Sequence, residues 1–187
     1  MMTTLFTIIH IALFGFLLSL VLVTAVHKLS HPGQFRQAFV EYEIVPATMA
    51  LSLAGIVGWV ELTVVALALV GFAIGMVTLT ATLLFGLFSI YTGMLLFAAV
   101  TKGSLANCGC SLNTSNTPVK PGALVARNSV LLILVSTFYL SSTDTHGTLT
   151  EWLTGIVISF FLFICYSAFD ALLENQALLN NLRLKHD

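Results

Sequence analysis

Two cysteines separated by a single glycine, Cys108-Gly109-Cys110, are the residues in this sequence best suited to chemistry. Thiols at this spacing can oxidise together, and Gly109 has no side chain to crowd the resulting tight ring. Disulfide geometry prefers Cα atoms about 4.4–6.8 Å apart, and a bond held away from that geometry is easier to reduce. The pair therefore predicts a labile disulfide suited to thiol–disulfide exchange.

The surroundings of the pair favour a reactive thiolate. Lys102, Lys120 and Arg127 are near it in sequence, and a predicted helix begins just after the loop. Cations and helix N-termini both stabilise a cysteine thiolate.

Three other interpretations of the pair stay open: a structural bridge, a site for a soft metal such as Cu(I) or zinc, and thiols without a role. No C-x-x-C motif, second pair or nearby histidine completes a metal site. No metal is therefore predicted.

The third cysteine, Cys165, falls in a predicted membrane helix, in the same membrane half as the cysteine loop. It is a possible resolving thiol for the pair. The stronger prediction is a small buried apolar residue, because free cysteine packs well among apolar groups.

Glu61 is the one charged residue of its predicted membrane helix and lies near the bilayer midplane. A charge there costs at least about 2.5–3.5 kcal/mol, so it should face the bundle interior, be paired, or be protonated. Arg127, with Asn128 beside it, is the predicted partner because a guanidinium on a long stem can reach inward. These three residues are predicted either to handle protons or tune the thiols, or to clamp two helices together.

Other polar and aromatic residues in the predicted helices receive structural interpretations. His10 is predicted to be an interior histidine rather than a ligand, and His27-Lys28 to be an anchor at the membrane interface. The rings of Phe88 and Tyr91 are predicted to face lipid or to pack. A quinone could lie against such rings and is the one possible cofactor.

Composition indicates that membrane helices position these residues. The chain has 187 residues, of which 58% are hydrophobic and only 8% charged, whereas soluble domains carry about 25% charged residues. Its formal net charge of −1 argues against a nucleic-acid partner, since phosphate binding needs a basic surface. Three cysteines are too few for a disulfide-stapled scaffold. The lipid bilayer is the environment that fits.

Apolar stretches predict an all-α polytopic bundle, because a transmembrane helix needs about 20 mostly apolar residues. An amphipathic segment from Gln34 to Glu43 predicts a helix in the membrane interface, and the polar loop 102–122 carries the cysteine pair. Residues 1–187 are predicted to form a single integral membrane domain. Its five transmembrane helices are predicted at about 4–26, 47–70, 76–100, 123–141 and 151–169.

Basic residues are distributed unevenly over this arrangement. All seven lysines and arginines fall on one side or just inside it, and the other side has none. Cytoplasmic loops carry an excess of such residues. The pattern predicts a cytoplasmic cysteine loop, a cytoplasmic C-terminus and an outside N-terminus.

Five segments of the chain carry a resemblance to a known family. They are His27–Phe35, Glu41–Pro46, Trp59–Leu62, Asn107–Cys110 and Ala126–Leu132. In their order and spacing these segments resemble the family of the methylamine utilisation protein MauE, and the similarity spans roughly residues 22–134. One departure is Ser111-Leu112, where the family loop usually continues into Phe-Gly.

The resemblance implies a multi-pass protein of the bacterial inner membrane, with a DoxX-like four-helix core plus one further helix. It also implies a role in maturing an exported, disulfide-rich client, the methylamine dehydrogenase small subunit, beside a thioredoxin-like partner with its own C-x-x-C motif. A client outside the cytoplasm conflicts with the cytoplasmic loop that the basic residues predict.

The main functional hypothesis is a membrane thiol–disulfide exchange protein, a possible oxidoreductase, with Cys108 and Cys110 as its catalytic pair. One alternative is a non-catalytic assembly or scaffold subunit of a redox complex, in which the pair is a static bridge. A second alternative is a quinone-linked thiol oxidoreductase.

Overall fold

A computed structural model describes residues 2–41, 46–101, 121–140 and 147–184. Within these ranges the chain forms six helices and no strand, as expected in a bilayer, where each backbone polar group needs a partner inside its own segment. The helices are α1 (Met2–Ser30), α2 (Pro32–Glu41), α3 (Ala47–Ala73), α4 (Val77–Thr101), α5 (Pro121–Leu140) and α6 (Leu149–Leu184).

Five of these described helices, α1 and α3 to α6, are long and apolar enough to cross a membrane. The predicted all-α bundle with five transmembrane helices is therefore confirmed. The last helix is longer than predicted, since α6 continues to Leu184. Most of the predicted cysteine loop, residues 102–120, lies outside the described residues.

Helix α1 is the centre of the bundle and has the most buried span of the five. It packs against α3 on one side and α6 on the other, and α5 also touches it. Helix α4 packs against both α3 and α5. Helices α1, α3, α4 and α5 thus pack together as four core helices, and α6 packs on α1. The predicted likeness to a DoxX-like four-helix core stays a prediction.

The α3–α4 turn is set by Gly75, whose φ of 78° lies in the left-handed region that favours glycine. The amide of Gly75 donates to the carbonyl of Phe72 (3.1 Å), and the amide of Met76 donates to that of Gly71 (2.7 Å). These two bonds form the Schellman motif that ends many helices. The turn makes α3 and α4 antiparallel neighbours.

The amphipathic segment after α1 forms α2, which packs along α3. Its Phe35 is buried and its Arg36 is exposed. The last two residues of the predicted interfacial segment, 42 and 43, are outside the described ranges.

An aromatic stack fills the core at the α3–α4 turn end of the bundle. The Phe14 and Phe72 rings lie parallel with their centroids 3.8 Å apart, and the His10 ring stacks on Phe138 at 4.3 Å. His10 is only 2% exposed, so its predicted place in the interior is confirmed.

Close contact between α1 and α6 depends on two glycines. A Cβ added at Gly155 would lie 2.7 Å from Cγ2 of Ile11, and one added at Gly15 would lie 2.7 Å from Oγ of Ser159. Small residues let membrane helices approach to backbone distance, where van der Waals packing holds them together. The outer face of α6 is apolar and exposed, as expected for a helix facing lipid.

We expect Gly155→Ala to lower the stability of the bundle by about 1–3 kcal/mol, the usual cost of overpacking. Gly93→Ala is the matched control, because Gly93 also lies within a helix but a Cβ there would meet no atom within 4 Å. Thermal unfolding in detergent measures both. Equal melting temperatures for the two variants would contradict the close packing of α1 on α6.

Candidate functional site

Among the described residues, one buried cluster joins three helices through an ion pair. Lys28 of α1 pairs with Glu61 of α3, and their side chains are 2% and 1% exposed. The hydroxyl of Tyr91, on α4, donates to Oε1 of Glu61, the same oxygen that accepts from Lys28. Lys28 Nζ also donates to the Tyr91 hydroxyl at 2.8 Å and lies 4.5 Å from the centre of its ring. This group is called the Glu61 cluster below.

The packing of α1 on α3 brings Lys28 and Glu61 to the same level. A Cβ added at Gly58 would lie 3.0 Å from the side chain of Leu29, so the two helices approach closely one turn before Glu61. Lys28 precedes the end of α1 by two residues, and its long stem reaches into the bundle. Two buried opposite charges in direct contact offset much of the cost of removing each from water.

A second buried ion pair links α5 to α6. Arg127 pairs with Asp170, and their side chains are 3% and 8% exposed. Tyr166 precedes Asp170 by one helical turn, so both occupy the same face of α6. The guanidinium carbon of Arg127 lies 5.8 Å from the centre of the Tyr166 ring. The neighbouring Asn128 is buried as well.

A small cavity separates the two ion pairs. Its volume is about 30 Å³, and residues from all five membrane-spanning helices line it. Glu61 is among its lining residues, and its Oε2 is a buried oxygen that accepts no hydrogen bond from the described part of the chain. The lining residues are Leu20, Val21, Thr24, Lys28, Glu61, Leu87, Phe88, Tyr91, Arg127, Asn128, Leu131 and Tyr166.

The site lies in the part of the bundle nearest the cysteine segment. That segment joins Thr101, where α4 ends, to Pro121, where α5 begins. At a rise of 1.5 Å per residue, Tyr91 is about 15 Å below the end of α4 and Arg127 about 9 Å below the start of α5. Cys108 and Cys110 themselves lie outside the described residues.

Sequence reasoning placed Glu61 correctly but paired it wrongly. Its burial in an ion pair is confirmed, and Arg127 does reach into the bundle as expected. The partner of Glu61 is Lys28, however, and Arg127 is paired with Asp170. The reason is the helix order, since α3 packs against α1 and not against α5.

Two other interpretations are corrected. Lys28 is not an interface anchor but a buried ion-pair partner, and Tyr91 hydrogen-bonds within the Glu61 cluster rather than facing lipid or only packing. Phe88 packs in the core as expected. Cys165 is exposed on α6, so the prediction that it is buried is wrong; its role as a resolving thiol stays a prediction.

Asp170 is the residue that sequence reasoning missed. The predicted bounds of the last membrane helix, about 151–169, stop one residue before Asp170, so no role was predicted for this residue. Its position one turn after Tyr166, in an apolar stretch that continues to Leu173, was the available signal. A charge in such a stretch is expected to face the bundle interior.

A family model described as methylamine utilisation protein MauE matches residues 5–141. The matched range extends from α1 through α5 and ends before α6. Searches of curated proteins and of solved structures gave no match.

We expect Lys28→Met to destabilise the bundle by about 3–5 kcal/mol, because it leaves Glu61 as an uncompensated buried charge. The double variant Lys28→Met/Glu61→Met should recover most of that loss. Arg36→Met is the control, since it removes an exposed positive charge from α2. Unfolding in detergent measures all three, and equal losses for Lys28→Met and Arg36→Met would contradict a structural role for the pair.

Proposed function

Because the chain belongs to the MauE family of methylamine utilisation proteins, we propose that it is a membrane thiol–disulfide exchange protein. In this proposal it supports disulfide formation in an exported client, such as the methylamine dehydrogenase small subunit. Its redox partner is a thioredoxin-like protein with a C-x-x-C motif, and its location is the bacterial inner membrane.

The proposed chemistry is a pair of disulfide exchanges at Cys108 and Cys110. A client thiolate attacks one sulfur of the Cys108–Cys110 disulfide, forms a mixed disulfide and releases the other cysteine as a thiolate. A second client thiolate attacks the mixed disulfide, so the client leaves oxidised and the pair remains as a dithiol. The disulfide of the thioredoxin-like partner then reoxidises the pair by the same two steps and takes up both electrons and both protons.

The observation that supports this proposal best is that buried polar contacts fix both helices that flank the cysteine segment, α4 and α5. Tyr91 ties α4 to α1 and α3, and Arg127 ties α5 to α6. The ends of the segment, at Thr101 and Pro121, are therefore attached to helices fixed by buried polar contacts. Such a frame suits a tight disulfide that must open and close without rearranging the bundle.

The buried polar residues have a supporting role in the proposal. Glu61 takes up and releases protons near the segment that carries the thiols, because thiolates must form and be reprotonated during exchange. Arg127 and Asn128 support this step as neighbouring polar groups. They act through the cysteines and do not themselves react with the client.

The proposal places no quinone in the cavity. Within the described residues the cavity holds about 30 Å³, which is room for about two water molecules.

Replacing the pair tests the exchange role. We expect Cys108→Ser/Cys110→Ser to abolish client oxidation, and the matched variant Cys165→Ser to retain it, since Cys165 faces outward from α6. Thiol alkylation followed by mass spectrometry counts the disulfides of the client. Full client oxidation by the double variant would contradict the proposal.

The amount of each variant in the membrane separates exchange from the scaffold alternative. An exchange protein should accumulate normally without its thiols. A double variant that fails to accumulate, beside a normal level of Cys165→Ser, would instead identify the pair as a static bridge.

The membrane face of the cysteine segment gives a second test. The chain has three cysteines, and Cys165 is the one outside the pair, so no second pair could pass electrons across the bilayer. Exchange with an exported client therefore requires the segment to face the client's compartment. The basic residues predict the opposite face. Lys28 and Arg127 are buried in ion pairs, but the other five of the seven lysines and arginines are still predicted on the same side as the segment.

An impermeant maleimide applied to intact cells decides between the two faces. We expect Cys108 and Cys110 to be labelled only after reduction, as an outward-facing disulfide would be. The Cys165→Ser background removes the remaining thiol. Labelling that appears only after the membrane is opened would exclude direct exchange with an exported client and favour the scaffold alternative.

A further inference from the structure

We propose that the cavity between the five membrane-spanning helices is a water-binding site, and that its water delivers protons to Glu61 and removes them. The use of those protons in thiol–disulfide exchange rests on the proposed function. The binding of water is argued from the cavity itself.

The first argument is the state of the Glu61 carboxylate. Its Oε1 accepts from both Lys28 and Tyr91, whereas its Oε2 is buried with no hydrogen bond from the described residues, and the residue itself lines the cavity. The residue is 1% exposed, so lipid and bulk water do not reach it. A buried acceptor left unsatisfied is destabilising, and more so if it is charged. Water in the cavity would supply the missing donor.

The second argument is the size and polarity of the cavity. A volume of about 30 Å³ exceeds the roughly 10–15 Å³ that one water molecule needs. A buried water also needs two to four polar partners. Thr24, Tyr91, Arg127 and Asn128 line the cavity together with Glu61, so four helices contribute polar groups to it.

The charged groups that the described residues place at the cavity occur as two ion pairs. Lys28 from α1 pairs with Glu61 from α3, and Arg127 from α5 pairs with Asp170 from α6. Each pair brings together one basic and one acidic side chain. A neutral, polar guest such as water fits between two such pairs.

The geometry gives Glu61 two distinct oxygens with separate tasks. Lys28 and Tyr91 fix Oε1 and are positioning residues, while Oε2 exchanges protons with the cavity. A hydronium ion in the cavity transfers a proton to Oε2 and becomes water, and the reverse step returns the proton. Arg127 and Asn128 lie on the route toward the start of α5, where the cysteine segment ends.

Radiolytic hydroxyl labelling tests the site, because radicals formed from bound water oxidise the side chains beside it. The protein is the full chain in lipid nanodiscs with all three cysteines replaced by serine, so the result does not depend on thiol exchange. Phe88 is the reporter, since it is buried and lines the cavity. Phe138 is the internal reference, since it is buried but is not among the lining residues.

We expect Phe88 to be oxidised several-fold faster than Phe138. Leu20→Phe should fill the cavity and reduce the oxidation of Phe88 to the level of Phe138. Leu22→Phe is the matched control two residues along α1, where the side chain is 39% exposed and does not line the cavity. Equal oxidation of Phe88 and Phe138 before any cavity substitution, or no loss in Leu20→Phe, would overturn the water site.

The proton role is tested in the chain that keeps its cysteines. We expect Leu20→Phe to slow client oxidation several-fold relative to Leu22→Phe, with normal accumulation of both variants. An unchanged rate together with the loss of Phe88 labelling would overturn proton delivery but not the bound water. If the thiols prove dispensable for the client, the labelling result still stands, so the two proposals fail separately.

Discussion

A charge inside a bilayer must find its counter-charge within the protein, and this constraint fixes how the helices of this bundle meet. Glu61 brings the end of α1 to the middle of α3, and the Tyr91 hydroxyl adds α4 to the same contact. Arg127 draws α6 toward α5, two helices that otherwise have little contact. Apolar packing alone distinguishes poorly between helix arrangements in lipid, because lipid tails are as apolar as leucine. The ion pairs therefore help to specify which helices are neighbours, a role that differs from a net gain in stability.

The limits of sequence reasoning follow from the same contacts. Hydropathy is a property of each segment, so the five spans and the inward position of Glu61 could be predicted from residues alone. The choice of Lys28 over Arg127 as its partner depends on which helices are neighbours and on the close approach at Gly58, and neither is a local property. Tyr91 was interpreted as a lipid-facing or packing ring because the sequence does not show that its hydroxyl lies beside Lys28 and Glu61. Asp170 was missed because the end of a helix is the part of it least defined by composition.

The family match and the structure divide the chain differently. The match ends at residue 141, before α6, although Asp170 on α6 is the counter-charge for Arg127 on α5. The four core helices alone would leave that arginine in the bundle without its acidic partner from the last helix. Helix α6 is thus a structural part of the membrane unit, and the cavity borders it through Tyr166.

The spacing of the ion pairs along the chain has a consequence for biogenesis. Lys28 is synthesised 33 residues before Glu61. Until Glu61 is in place, the Lys28 side chain can extend to the lipid headgroups, since it lies near the end of α1. Arg127 is synthesised 43 residues before Asp170. Its helix, α5, has the lowest mean hydropathy of the five spans, 1.7. Among the five spans, α5 is therefore the least apolar one and also carries a buried arginine. That arginine meets its acidic partner only after α6 has been synthesised, so the buried ion pairs of the bundle are complete only at that stage.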